Sequence, residues 1–122
     1  TGAVVVALGH IATGVMGTDD ELMNKVKDAS KSSGEKVWEF PLWPEFCKQI
    51  KSNIADVKNM GTPPQAGTIA GGAFLKEFVD PKIPWVHFDI AGTAWGVKPD
   101  SINPKGSATG VGIRLVLDMF GV

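Results

Sequence analysis

The chain has 122 residues, a formal net charge of -1 and a single cysteine, Cys47. That length accommodates one domain, which on folding would bury roughly two-thirds of the surface of the unfolded chain. The near-neutral charge and the lack of a basic stripe argue against nucleic acid as the main partner. The apolar runs are too short to span a bilayer, no signal-peptide pattern is present, and a lone thiol excludes an internal disulfide and fits a reducing compartment.

Taken in order, Ala3-Val4-Val5-Val6-Ala7-Leu8 is a continuous β-branched apolar run, which predicts a strand buried on both faces. No Met precedes it, and a domain opening on a bare central strand reads as a piece of something longer. Gly9-His10 ends the run, and the glycine-punctuated Ile11–Gly17 reads as irregular. Thr18-Asp19-Asp20-Glu21 has the form of a capping box, and Leu22, Val26 and Ala29 follow at helical spacing up to Gly34. Val37–Phe40 reads as a short extended piece. Pro44 opens a second helix to about Lys51, and Asn53–Asn59 reads as a short strand. After the Gly61–Pro64 loop, Ala66–Val79 predicts a helix with Gly71, Phe74, Leu75, Phe78 and Val79 on its apolar face. Gly67 and Gly71, four apart, permit close packing on that side. A polar, Pro-containing loop is expected over Gly96–Lys105, and a last helix over Gly110–Phe120.

The most informative stretch is Pro84–Trp95. It begins as a strand in which Val86, Phe88 and Ile90 face one way and Trp85, His87, Asp89 and Ala91 the other, with His87 and Asp89 expected to pair inside a covered sheet. At Ala91-Gly92-Thr93-Ala94 the side chains become small, which lets a ligand or another backbone come close. Ligands of open α/β sheets bind at that carboxyl edge, so a site wall is expected there. Strands alternating with helices make the chain an α/β protein: a layered α/β/α domain with a mixed, mainly parallel sheet.

No catalytic set is complete among the residues themselves. His87 and Asp89 have the types of a general base and its orienting acid, but neighbours on one strand face more often satisfy each other in a core. His10 lacks the further ligands that a metal site needs. The acids Asp19, Asp20 and Glu21 are explained by helix capping. The glycine-rich Gly67–Gly72 lacks the lysine of a phosphate loop, and Cys47 reads as a small packed hydrophobe despite neighbouring Lys48.

Several stretches in order resemble the leucyl aminopeptidase (cytosol aminopeptidase) family. They are Thr1-Gly2-Ala3 leading into Val4–Gly9, Ala12-Thr13-Gly14, Gly34-Glu35-Lys36-Val37-Trp38, Pro41-Leu42-Trp43, Ser52–Gly61, Ala73–Val79, Trp85–Trp95, Pro104-Lys105-Gly106 and Thr109-Gly110-Val111-Gly112. The resemblance covers nearly the whole chain and places residues 1–122 in the C-terminal part of the family's catalytic domain.

It implies a hydrolase that releases N-terminal residues, Leu among them, from peptides with the help of two divalent metal ions, zinc or manganese, that polarise the peptide carbonyl and activate water. It implies that the metal ligands and a catalytic Lys and Arg lie upstream, around an Asn-Thr-Asp-Ala-Glu-Gly-Arg motif that this sequence lacks. It further implies a cytoplasmic homo-hexamer. By family position Thr1 and Gly2 lie beside the metal centre, Ala91 and Ala94 wall the pocket for the substrate's N-terminal side chain, and Met60 walls the pocket for the next residue. Ala94 stands where some relatives carry a larger residue. The rival expectation is a non-catalytic binding or scaffold domain of the same fold.

Overall fold

The computed structural model describes residues 1–98 and 105–122, so most of the loop expected over Gly96–Lys105, and Pro104 with it, lies outside the described residues. The valine run forms a helix, α1 (Gly2–Leu8), and not a strand. A short apolar run is compatible with either, and β-branching lowers helix propensity by less than about 0.7 kcal/mol per residue. Tertiary contacts decide the matter. Thr1 caps the helix by accepting the Val4 N–H at 3.2 Å, Val4 is fully buried, and Val6 is 90 % exposed. Burial on one side only is what a surface helix gives.

The strand at the middle of the sheet is β1 (Thr13–Gly17), in the segment expected to be irregular. Its glycines are the reason that it does not look like a strand. A Cβ on Gly14 would lie 3.0 Å from both the Phe40 ring and a Val4 methyl, so glycine is what lets α1 and Phe40 close over the sheet.

Next comes α2 (Asp20–Ser33), capped not by Thr18 but by Asp19, whose carboxylate accepts the Leu22 N–H at 2.8 Å. Thr18 is instead engaged with Trp85: its N–H donates to the Trp85 carbonyl at 2.9 Å, and its hydroxyl accepts the Trp85 N–H at 3.2 Å. Gly34 ends α2 in the left-handed region, φ 76°, as expected.

The strand β2 (Val37–Glu39) is followed by α3 (Pro44–Lys48), shorter than expected. The strand expected over Asn53–Asn59 reduces to a single bridge between Lys51 and Val57. The helix α4 (Gly67–Lys76), the strand β3 (Val86–Asp89) and the helix α5 (Ile113–Met119) complete the order. No helix among the described residues is long and apolar enough to cross a membrane.

The sheet is mixed, in the order β2-β1-β3, with β1 parallel to β2 and antiparallel to β3. Strand alternation then assigns the two faces. Val15, joined by Val86 and Phe88, packs on Met23, Val26, Ala29 and Leu115 from α2 and α5. Gly14 and Met16 face α1 and α4, and the Met16 sulfur occupies the space where a Gly72 Cβ would stand. The result is the expected α/β/α layering.

The predicted close approach of α4 also appears. A Cβ on Gly67 would sit 2.9 Å from Ala3, and one on Gly71 3.0 Å from the Thr1 methyl, so α1 lies directly on the glycine stripe. The apolar face of α4 is a different one from that expected: Ile69, Ala70, Gly72 and Ala73 are buried, whereas Leu75 and Phe78 are exposed. The helix stops at Lys76, before Phe78 and Val79 can join that face.

Glu35 fastens the other side. It is 8 % exposed, and its carboxylate accepts the N–H groups of Gly112 at 2.5 Å and Leu115 at 3.2 Å, with Arg114 Nε at 3.6 Å. A residue 77 positions earlier thus satisfies the N-terminal donors of α5, whose own N-cap, Gly112, has no side chain to do so. Replacing Glu35 by Ala strands these donors and is expected to lower unfolding stability by about 1–3 kcal/mol. Removing the exposed Lys27–Glu39 bridge by Glu39→Ala is expected to lower it by less than about 1 kcal/mol. Denaturant unfolding of both variants checks this, and equal small losses would contradict the capping role.

Candidate functional site

The antiparallel register sets Asp89 opposite Gly14 and His87 opposite Met16, so both polar side chains of β3 face α1 and α4. Asp89, 2 % exposed, meets the start of α1 there. Its Oδ1 accepts from the Thr1 nitrogen at 2.5 Å and its Oδ2 from the Thr1 hydroxyl at 2.5 Å. The same hydroxyl accepts the Val4 N–H, so a single relay runs from the strand through Thr1 into the first turn of α1. Oδ1 also accepts a long bond, 3.5 Å, from the Ala91 N–H. One carboxylate therefore holds Thr1, and through it Gly2, beside the turn that carries Ala91.

That turn is tightly fixed. The Ile90 carbonyl accepts the N–H groups of Thr93 at 3.0 Å and Ala94 at 2.8 Å. The hydroxyls of Thr93 and Thr13 are 2.7 Å apart, and His10 Nδ1 is 2.7 Å from the Gly92 carbonyl oxygen. Gly92 is buried against the α1 corner, where a Cβ would overlap the Gly9 carbonyl oxygen. The small side chains after the strand do admit another backbone, and here that backbone is Gly9.

Of the residues singled out from the sequence, Thr1, Gly2, Ala91 and Ala94 gather at this corner. Met60 stands apart, 73 % exposed, on the loop before α4; its neighbour Gly61 lies against Ala70. The expected pairing of His87 with Asp89 is replaced. Thr1 engages both oxygens of Asp89, while the His87 ring stacks on Trp85 with centroids 6.1 Å apart. Burial holds the His87 pKa below its usual 6.5, and the nearby Asp89 carboxylate opposes that. Cys47 is half-buried, its thiol 3.9 Å from the Leu42 carbonyl oxygen.

Sequence reasoning missed the Thr1–Asp89 bond, which spans 88 positions and leaves no local signature, and the capping by Glu35. Among the described residues no group of three or more His, Cys, Asp or Glu side chains could hold a metal ion. Asp89, the buried carboxylate at this corner, has both oxygens engaged by Thr1. A two-metal shell therefore does not fit the residues described here. A cavity of about 840 Å³ opens elsewhere, between Glu35–Val37, the turn and α5. Thr93 and Ile90 line it, but Ala91 and Ala94 do not.

Comparison with known proteins shows the family of the chain. The family model "Cytosol aminopeptidase family, catalytic domain" matches residues 1–117. The chain belongs to the cytosol aminopeptidase family. It is similar to a probable cytosol aminopeptidase of Syntrophotalea carbinolica, 51% identical over 120 residues that cover 98% of this chain and 24% of that protein. It is also similar to one of Geotalea uraniireducens, 52% identical over 118 residues, 97% of this chain and 23% of that protein. Among solved structures, a tomato leucine aminopeptidase mutant superposes with a TM-score of 0.84 at 39% identity, over 98% of this chain and 22% of that one. The chain thus spans about a quarter of the length of the relatives that it matches.

The lowered His87 pKa fixes the sign of a pH effect. Unfolded, His87 takes up a proton near its ordinary value; folded, it does so only at lower pH. Its contribution to stability is therefore present above about pH 6.5 and is lost as pH falls through the folded value. Thermal melts of wild type and His87→Gln at about pH 8 and about pH 5 check this. The wild type is expected to lose more stability on acidification than the variant; equal losses would contradict the assignment.

Proposed function

We propose that this chain is the C-terminal part of the catalytic domain of a longer aminopeptidase, which releases N-terminal residues such as Leu from peptides. In this reading the chain supplies the walls of the substrate pocket. The observation that carries it is the Asp89 carboxylate, which joins Thr1 at the head of α1 to the turn after β3. Thr1 and Gly2 form one side, where the Gly2 N–H is available to the substrate backbone. Ala91 and Ala94 form the side facing the substrate's N-terminal side chain. Met60, exposed on its own loop, serves the next residue.

The two divalent metals, zinc or manganese, belong in this reading to residues that precede Thr1, and the longer protein is a cytoplasmic homo-hexamer. What the present residues do is bind and orient. The turn is held by four contacts, so its methyl groups present a fixed surface, and small displacements of such a surface carry large penalties in rate.

Both methyls are small, so their size sets the pocket's depth. Ala94→Phe in the longer protein is expected to reduce kcat/KM for leucyl and methionyl substrates more than for alanyl substrates. One methylene in such a pocket is worth about 1–3 kcal/mol, roughly 10–200-fold. Steady-state kinetics with a melting control reads this. Equal losses on all substrates would signify a folding defect, and no change would place Ala94 outside the pocket. In the same protein a chelator is expected to abolish hydrolysis of a leucyl anilide. Activity that resists chelation would overturn the metallopeptidase reading, and inactivity of a metal-loaded, folded protein would favour a scaffold.

A further inference from the structure

We propose that His10 is a positioning residue that sets the substrate pocket by pinning the turn after β3; this rests on the reading of Ala91 and Ala94 as its wall. His10 is exposed, so core packing does not explain it. Its Nδ1 lies 2.7 Å from the Gly92 carbonyl oxygen. A carbonyl only accepts, so Nδ1 carries the hydrogen and donates it, leaving Nε2 unprotonated in the neutral ring.

The ring is wedged against the far end of the same loop. A Cβ on Gly96, whose φ is +75°, would stand 3.1 Å from His10 Cε1. Just before His10, the Gly9 carbonyl oxygen fills the space that a Gly92 side chain would need. The Gly9–His10 corner therefore meets the turn at Gly92 and Gly96, and Thr13 meets it at Thr93. Ala91 and Ala94 flank the pinned Gly92-Thr93 pair, so freeing Gly92 lets both methyls move. A wall that moves loses contact with a large side chain and has little to lose with a small one.

The test separates Nδ1 from the rest of the ring. An Asn amide nitrogen stands as many bonds from Cα as Nδ1 does, whereas the Gln amide nitrogen stands as far out as Nε2. In the longer protein, His10→Ala and His10→Gln are expected to raise KM for a leucyl substrate about two- to tenfold, the range that one neutral hydrogen bond commands. The alanyl substrate should be little affected, and kcat should change by less than about twofold, as for lost uniform binding. His10→Asn is expected to restore wild-type KM. The Thr93 and Ala94 amides, which close the turn on Ile90, should exchange hydrogen faster in the Ala and Gln variants and at the wild-type rate in Asn.

Three results would overturn the proposal: unchanged KM and exchange in His10→Ala, equal losses on both substrates with a lowered melting temperature, or rescue by Gln but not by Asn. Ala94→Phe, measured alongside, keeps the two ideas apart. If it shifts the Leu-to-Ala preference and His10→Ala does not, the positioning role fails and the pocket stands. If Ala94→Phe leaves the preference unchanged, the pocket reading fails and the positioning role falls with it.

Discussion

The site depends on one buried carboxylate. Asp89 lies at the end of β3 among packed side chains, where an acid without partners would be strongly unfavourable. It is stabilised by two short bonds from Thr1 and a longer one from Ala91. Those bonds fix where α1 begins and, through the Thr1 hydroxyl, cap its first turn. A seven-residue helix rich in valine has little stability of its own. It exists because Asp89 and Thr1 define its start and because the glycine stripe of α4 and the Gly14 gap in the sheet give it a place to lie.

The two faces of the sheet carry different duties. The face that packs on α2 and α5 is conventional apolar packing, with Glu35 completing the end of α5 from a distance. The face under α1 and α4 closes through small residues, Gly14 in the sheet and Gly67, Gly71 and Gly72 in α4, which bring backbones close enough for polar groups at the strand's end to meet. Of the candidate pocket residues, Thr1, Gly2, Ala91 and Ala94 gather where the start of α1 comes within reach of the carboxyl end of β3, while Met60 stands apart.

Features carried by local patterns were legible in the sequence. Leu22, Val26 and Ala29 with Gly34 marked α2, alternation marked β3, and the run of small residues marked the turn where Gly92 admits Gly9. Features fixed by distant partners were not. The valine run was compatible with a strand until Thr1, held by Asp89, capped its first turn, and β1 was disguised by glycines that serve Val4 and Phe40. His87 and Asp89 looked like each other's partners because they are two residues apart, whereas the actual partner of Asp89 is 88 positions away. The ordered resemblance to the aminopeptidase family located the corner; the physical reason that its residues converge is visible only in the fold.

The most direct test of this account is a double-mutant cycle between Thr1 and Asp89 in the longer protein, with kcat/KM for a leucyl substrate as the readout. Thr1→Ala and Asp89→Ala each break the relay between strand, helix start and turn. If that relay organises the pocket, the double variant will be little worse than the poorer single variant, with a coupling of about 0.5–3 kcal/mol. Effects that add to within about 0.5 kcal/mol would contradict the account, because they would show that the two residues act on the pocket independently.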